Sequence, residues 1–489
     1  MQLFNCKMET KSDMKNMTIW NIARACKGHL AVPAGKHTGT CPAAGMAVIR
    51  GYSGKEAAGI VIDSRKVEPG DIFVAIRGER VDGHQFIREV FDKGAIAVVC
   101  EEEPEELPGP CIRVEDSLAA LRQIAAFYRE QMPIPIVGIT GSVGKTSTKE
   151  FVASVLAQKY KTHKTQGNFN NEIGVPLTLL AMPEDTEVAV LEMGMNHSGE
   201  MEYLSDIARP DLAIITNIGT MHIEHLGTRE GILQAKLEIM RGMPEDGAGV
   251  FNGDEPLLWN IRAIGKHKKY YYGIENHACD VTATDIVELD DGVRFVVHGF
   301  GQQFELFVPM LGRHAVYNAL AATTVGLLLG VKPEQIQARF SSFHNTGMRQ
   351  KIYVKNGVTI IEDCYNAGPE STEAALDVLA GIKTDGRRIA VLGDMLELGN
   401  RSAAEHYRIG RLAVGKADLL LTYGEHSVRT LTGAITGGMN PKNTDHFDTH
   451  EDMAHMLKMR VSEGDVVLFK GSRGMRMEKV LQLFLDDKK

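Results

Sequence analysis

Short apolar runs that each stop at a glycine or a polar residue, with enough chain between them for helices, recur along this sequence and leave it few folds to adopt. They are Ile136 to Thr140, Val188 to Glu192, Leu212 to Thr216, Arg388 to Gly393, Asp418 to Thr422 and Asp465 to Phe469. Runs that are apolar without alternation are how parallel strands buried on both faces read, and helices intervene as the crossovers such strands require. The predicted fold class is therefore α/β, built on parallel sheets. Ligands of such open sheets sit beyond the carboxyl ends of the strands, so chemistry is to be sought among the residues that close each run.

At 489 residues and roughly 150 residues per domain, about three domains are expected. Residues 1–16 are polar and patternless and read as a disordered or non-native tail, with Met17 a candidate natural start ahead of a capped helix beginning at Thr18. Residues 17–132 read as a small α/β domain with strands near 59–62, 71–76 and 95–99 and a helix over 84–93. The acidic run Glu101 to Glu106, broken by Pro104, reads as a solvated loop. Pro133-Ile134-Pro135 is a stiff link into a central domain, 133–346, and the strand–helix alternation starts again in a third domain, 347–489.

Composition narrows the function. With 63 acidic and 54 basic residues the formal charge is −9, so neither nucleic acid nor an anionic membrane is an expected partner, although a small anion needs only local positive charge. Seven cysteines, odd in number and with no C-x-x-C pair, indicate neither a disulfide framework nor a structural zinc site. The start lacks the apolar core of a signal peptide, and no stretch reaches the roughly 18 uninterrupted apolar residues of a membrane span. A cytoplasmic protein is expected. Fifty glycines without a repeat imply many tight backbone turns.

Gly138-Ile139-Thr140-Gly141-Ser142-Val143-Gly144-Lys145-Thr146-Ser147-Thr148 follows a strand and opens a helix, the setting of a phosphate-binding loop. Backbone N–H groups of Gly141 to Ser147 would face phosphate oxygens, Lys145 would add a point charge, and the Thr146 hydroxyl could ligate Mg²⁺. The spacing departs from the strict G-x-x-x-x-G-K-[ST] form, since the nearest earlier glycine, Gly138, is one residue too far. No Asn-Lys-x-Asp guanine reader occurs, Gly415-Lys416-Ala417-Asp418 being the nearest approach, so adenine is favoured. Glu192 closes the next run and is an oxygen donor suited to a hard cation. His222 and Lys236, on pattern alone, are a structural histidine and a solvated helix charge.

The loop, with its extra residue, resembles the ATP loop of the Mur ligases, the amide-forming enzymes of peptidoglycan precursor synthesis. The likeness continues through Gly167-Asn168-Phe169-Asn170-Asn171-Glu172-Ile173-Gly174, Glu192-Met193-Gly194, Asn217-Ile218-Gly219-Thr220-Met221-His222 and Gly312-Arg313-His314 with Asn318. Asp363-Cys364-Tyr365-Asn366-Ala367-Gly368-Pro369, Leu392-Gly393-Asp394-Met395-Leu396-Glu397-Leu398-Gly399 and Phe469-Lys470-Gly471-Ser472-Arg473-Gly474 are similar to the D-alanyl-D-alanine-adding branch, with Gly368 where that branch commonly has Asn. The front segments Asp63-Ser64-Arg65 and Asp82-Gly83-His84 resemble its uridine-nucleotide domain.

That resemblance implies three domains: a UDP-binding domain, a P-loop ATPase domain and a Rossmann-like domain for the incoming dipeptide. It implies ATP-dependent ligation of D-alanyl-D-alanine to UDP-N-acetylmuramoyl-tripeptide through an acyl phosphate, by a monomer. Lys145, Lys236, His222 and Glu192 are the implied catalytic set. Thr146 and Glu192 are the implied holders of the Mg²⁺ on ATP, His222 is an implied ligand of a second Mg²⁺, and a Lys236 carbamylated by CO₂ is implied beside that second ion. ATP contacts are implied for Gly141, Ser142, Val143, Gly144, Lys145, Thr146, Ser147, Asn318, Arg349 and Asp363. Ser64, Arg65, His84, Asn168 and Asn171 are implied for the UDP-substrate, and Tyr365, Asn366, Lys470, Ser472 and Arg473 for the dipeptide or peptide tail. A hinge is expected over Asn345 to Arg349. Two other readings stay open: a catalytically silent nucleotide-binding regulator, and an amide ligase of the tripeptide-forming kind. A dinucleotide oxidoreductase is disfavoured, because no G-x-G-x-x-G opens a helix with an acid about 20 residues on.

Overall fold

The computed structural model describes residues 14–33, 51–78, 80–343 and 349–486. The expected tail falls outside the described residues up to position 13, and the expected hinge does so except for Arg349. Residues 14–16 are tethered rather than tail-like: Met14 is buried and donates its N–H to Ala57 O at 2.7 Å, and the exposed Asn16 donates its N–H to Glu56 Oε1 at 3.0 Å. The chain forms two compact units. One comprises Met1–Ile136, Lys161–Met193 and Tyr203–Pro210; the other comprises Val137–Tyr160, Gly194–Glu202 and Asp211–Lys489.

In the first unit, β2 (Gly59–Val61), β3 (Asp71–Val74), β4 (Ala97–Cys100) and β5 (Cys111–Arg113) are successive parallel neighbours. The short β1 (His29–Ala31) closes the edge antiparallel to β5. Phe73, Val98, Cys100 and Cys111 pack into one core with Ile87 and Val90 of the helix Ile87–Asp92. The helix expected over 84–93 is split, because the Asp82 carboxylate accepts from His84 N and starts a separate 3-10 turn, Gly83–Phe86. Glu101 is not merely solvated: its Oε1 accepts from Ser117 N at 3.0 Å, at the start of the helix Ser117–Glu130. The same unit holds the parallel pair β7 (Thr162–Lys164) and β8 (Val188–Glu192).

In the second unit, β6 (Ile136–Thr140), β9 (Leu212–Ile215), β10 (Ala248–Asn252), β11 (Lys268–Gly273) and β12 (Val281–Leu289) lie side by side in parallel. An antiparallel meander through β13 (Gly292–Gly299) and β14 (Gln302–Val308) extends that sheet. Nothing in the apolar runs announced this extension, since β12 is half exposed and polar at many positions. A further six-stranded sheet has the order β15-β16-β20-β17-β18-β19. Its β16 (Val358–Asp363), β20 (Val466–Lys470), β17 (Arg388–Gly393), β18 (Leu419–Tyr423) and β19 (Thr444–Phe447) are parallel, and β15 (Lys351–Lys355) is the antiparallel edge. Helices bury both faces: Leu376, Leu379 and Ile409 pack with Leu420 and Leu468 on one side, and Met453, Leu457 and Val480 pack with Leu421 and Phe469 on the other. Each fully buried Leu, Val or Phe of this kind contributes about 1.5–3 kcal/mol, so the all-apolar runs are what hold the sheet between two helical layers.

Three α/β domains with parallel-rich sheets therefore stand as expected. Strands β6, β8 and β17 keep the bounds read from the sequence, β9 ends one residue earlier, and β18 and β20 lie one residue later.

Candidate active site

The phosphate loop connects β6 to the helix Lys145–Leu156, whose N-cap, Gly144, has φ 85° and provides no side-chain cap. A helix N-terminus that follows a glycine-rich loop in this way is a setting suited to an anion. Gly141 permits a close approach: a Cβ on it would stand 1.9 Å from Thr216 Oγ1. Thr216 Oγ1 and Asn217 Nδ2 donate to Val143 O at 2.6 and 3.1 Å. Asn217 Oδ1 accepts from Val143 N at 2.9 Å, Asn217 O accepts from Ser142 N at 3.2 Å, and Ser142 Oγ accepts from Gly219 N at 2.9 Å. The loop after β9 is thus sewn along the phosphate loop by Thr216 and Asn217, two residues whose role the sequence did not disclose. Lys145 Nζ folds back onto Gly141 O at 2.7 Å. Ser147 is partly buried, like Thr146. Asn318, 6% exposed, accepts from Thr148 Oγ1 at 3.0 Å and sits against Gly144, so the expected adenine contact lies beside the first turn of the loop's helix.

Lys236 is not a solvated helix charge. It lies on the helix Arg229–Leu237 at 1% exposure, and burial, then the Lys145 charge, hold its ammonium well below the ordinary lysine range. His222 has a left-handed backbone, φ 63°, and its Nδ1 is 2.6 Å from Glu397 Oε2, across from the loop after β17. The His222 contact holds the Glu397 carboxyl below its usual range. Glu397 is a residue that sequence reasoning passed over, although it stands inside the Asp394-Met395-Leu396-Glu397 stretch. That stretch is fixed by Asp394, which accepts from His426 N and Ser427 N at 3.0 and 2.7 Å, and by Ser472 Oγ, which accepts from Leu396 N at 2.9 Å.

At the carboxyl ends of β16 and β20, Asp363 and Lys470 are register partners, and Lys470 Nζ is 2.5 Å from Asp363 Oδ2 and 3.0 Å from Asn366 O. Lys470 is 2% exposed, so its ammonium is turned inward. Ser472, equally buried, donates to Ala367 O, and Asn366 Oδ1 accepts from Ala367 N and Arg473 N. Arg473 is half exposed and reaches Glu478 at 2.9 Å. The Arg349 guanidinium lies 4.2 Å over the Tyr365 ring, a stacking contact suited to arginine. Of the residues expected to meet dipeptide or peptide tail, Arg473 is exposed and Tyr365 is half-buried beneath Arg349, whereas Lys470, Asn366 and Ser472 brace the loop between β16 and the helix Pro369–Gly381.

Ser64, Arg65, His84, Asn168, Asn171 and Glu192 belong to the first unit. Ser64, Arg65 and His84 sit in the connections that leave β2 and β3 at their carboxyl ends. Arg65 forks onto Asp63, with both bonds at 2.8 Å. His84 uses both ring nitrogens, Nδ1 with Asp82 Oδ1 at 2.7 Å and Nε2 accepting from Glu101 N at 2.9 Å, which requires the neutral Nδ1–H tautomer. Asn171 Oδ1 accepts from Ile173 N and Gly174 N, starting the helix Gly174–Leu180, and Asn168 is exposed. The residue that engages Glu192 is Asn170, whose Nδ2 donates to Oε1 at 2.7 Å. Glu192 itself is 1% exposed and its N–H donates to Thr165 Oγ1.

Among the described residues no three His, Cys, Asp or Glu side chains converge as a ready-made metal site.

Comparison with known proteins gives concordant matches along the chain. Residues 56–129 match the catalytic domain of the Mur ligase family, 139–326 the Mur ligase middle domain, and 348–473 the Mur ligase glutamate ligase domain. A UDP-N-acetylmuramoyl-tripeptide–D-alanyl-D-alanine ligase of Bacillus subtilis is 40% identical over 476 residues, 96% of this chain and 98% of that protein. The ligase of the same name from Escherichia coli is 35% identical, over 86% of this chain and 92% of its own length. Among solved structures, a MurF crystal structure from Acinetobacter baumannii superposes with a TM-score of 0.83 at 32% identity, covering 95% of this chain and 97% of that one. The MurF ligase of Thermotoga maritima in complex with ADP gives 0.76 at 31% identity, covering 87% and 96%.

Proposed function

The chain belongs to the Mur ligase family, and from that premise we infer that it joins D-alanyl-D-alanine to UDP-N-acetylmuramoyl-tripeptide with cleavage of ATP, giving the pentapeptide precursor of peptidoglycan. What carries the reading is that the likeness to D-alanyl-D-alanine ligases spans all three sheets, not the ATP-binding one alone. A relative that had kept only nucleotide binding would have no use for the substrate-facing sheets.

A carboxylate is a poor electrophile, and its oxygen is a poor leaving group. Its oxygen attacks the γ-phosphorus of ATP, the bond to the β-bridging oxygen breaks, and ADP leaves. The amine of the dipeptide then adds to the acyl phosphate carbon, loses its proton, and expels phosphate. The protein's part is placement and charge neutralisation. Lys145 leaves the loop carbonyls of Gly141 and Ser142 for the γ-phosphate. The backbone N–H groups from Gly144 to Ser147 bind the phosphate oxygens. Asn318 borders the adenine, Asp363 the ribose, and Arg349 the phosphates. Tyr365 and Arg473 face the dipeptide or peptide tail. Ser64, Arg65 and His84 frame the uridine end, and Asn168 and Asn171 border the UDP-substrate. By the family likeness, Mg²⁺ carried in with ATP would be held by Thr146 and Glu192 and a second Mg²⁺ by His222, each offsetting phosphate charge.

Lys236 is assigned a carbamate. Its nitrogen adds to CO₂ only as the free amine, and full burial beside Lys145 favours that form. The N–C bond forms and one proton leaves, so a buried neutral amine becomes an anion whose charge the neighbouring Lys145 offsets. The soluble character of both substrates puts the reaction in the cytoplasm; among the described residues no helix is long and apolar enough to cross a membrane.

The deciding experiment supplies ATP, Mg²⁺, D-alanyl-D-alanine and UDP-tripeptides ending in lysine or diaminopimelate, then measures phosphate release and product mass. Release of phosphate only when all components are present, with a product heavier by one dipeptide less one water, is expected. Absence of release with either tripeptide would refute the assignment.

A further inference from the structure

Glu370 opens the helix Pro369–Gly381 and reaches from the third sheet to the loop after β9. One carboxylate oxygen, Oε1, accepts both the N–H of Thr220, at 2.8 Å, and its hydroxyl, at 2.9 Å. Thr220 is 8% exposed and lies two residues before His222. Close fit on both sides makes the contact specific: a Cβ on Gly219 would come within 2.9 Å of the Glu370 carboxyl carbon, and one on Gly368 within 2.9 Å of Met221 Cγ. A Cβ at either position would require the Glu370 or Met221 side chain to shift from this arrangement. The held segment is the same one that grips the phosphate loop, since Gly219 N donates to Ser142 Oγ and Asn217 brackets Val143. The second oxygen of Glu370, Oε2, is buried with no hydrogen-bond partner among the described residues. The anion is offset there by the Thr220 donors and by the positive end of its own helix.

We propose that Glu370 is a positioning residue for the ligase reaction: by accepting from Thr220 it sets the segment Asn217 to His222, and through Ser142 and Val143 the phosphate loop, in register with the dipeptide-binding sheet. Glu370 touches neither substrate nor metal; it acts through the backbone of Gly219 and Thr220. Because it works by accepting hydrogen bonds, an amide oxygen serves in its place, whereas a methyl does not.

The proposal rests on the ligase reading and is tested on the full-length protein with ATP, Mg²⁺, D-alanyl-D-alanine and UDP-tripeptide. Glu370→Ala should lower kcat about tenfold or more, while KM for D-alanyl-D-alanine stays within about twofold. Glu370→Gln should restore kcat to within about twofold of the parent. Hydrogen exchange in peptides covering 216–222 should quicken in Glu370→Ala, remain unchanged in Glu370→Gln, and leave β16, β17 and β20 protected in both. The proposal is overturned by an unaltered kcat in Glu370→Ala, by a Gln variant as impaired as the Ala variant, or by exchange that rises throughout the third sheet. Failure of the parent protein to turn over would sink the ligase reading instead, and the exchange of 216–222 would still decide whether Glu370 sets that segment.

Discussion

Lys470 offers the sharpest separation between what its motif suggests and what its surroundings require. In the Phe469-Lys470-Gly471-Ser472-Arg473 stretch it reads as a cation for the peptide tail, yet it is 2% exposed and paired with Asp363, itself 17% exposed, at 2.5 Å, with Asn366 O as a second acceptor. Replacing it by Met keeps the apolar stem, one atom shorter, and removes the charge. The Asp363 carboxylate then remains largely buried without its counter-ion, a change that costs about 3–5 kcal/mol in buried pairs. Water retains some access to Asp363, so the lower end, about 3 kcal/mol, is the expected value. A chain with three sheets has no single unfolding transition, so the suitable assay is native-state hydrogen exchange of peptides spanning β16 and β20. At about 1.4 kcal/mol per factor of ten, exchange there should accelerate roughly a hundredfold in Lys470→Met. Adding Asp363→Asn should recover part of that protection, because the orphaned charge is gone. Unchanged exchange in Lys470→Met together with a raised KM for the UDP-tripeptide would refute the bracing role and return Lys470 to the substrate.

Lys236→Ala should lose activity by about a hundredfold or more, with partial recovery in added formate or acetate as a surrogate anion; near-normal turnover in a folded variant would remove the carbamate from the mechanism. The Asp63 carboxyl, held by the Arg65 side chain, is lowered from 3.8 to about 2. A depressed value means that the pairing contributes above the ordinary carboxylate value and is lost as pH falls through the folded one, so a carboxyl resonance for Asp63 should titrate with a midpoint near 2 and move up in Arg65→Gln. A midpoint near 4 in the parent protein would contradict the fork. Burial pushes the Cys26 thiol up to about 11 and raises that of Cys364 as well. At pH 8 only about a thousandth of Cys26 is thiolate, so iodoacetamide followed by mass spectrometry should find both residues unmodified until denaturant is added.

The sequence by itself determined the parts of this protein that depend on neighbours in the chain. Strands β6, β8 and β17 were readable to the residue because a strand buried on both faces must be apolar throughout, and the phosphate loop because a strand, three glycines and Gly-Lys-Thr form one contiguous signal. The meander β12–β14 escaped, since half-exposed strands carry no uninterrupted apolar run. Tertiary structure alone decided which polar residues are buried and what they hold. Lys236 sits in an unremarkable helical sequence, and only folding makes it a desolvated amine beside Lys145. Lys470 and Ser472 share a motif with Arg473, yet burial turns the first two inward and leaves the third half exposed. Glu397 and Glu370 lie well over a hundred residues from the partners they meet, His222 and Thr220. A carboxylate's partner is chosen by which loop ends a sheet brings within 3 Å, and periodicity along one segment holds no record of that distance.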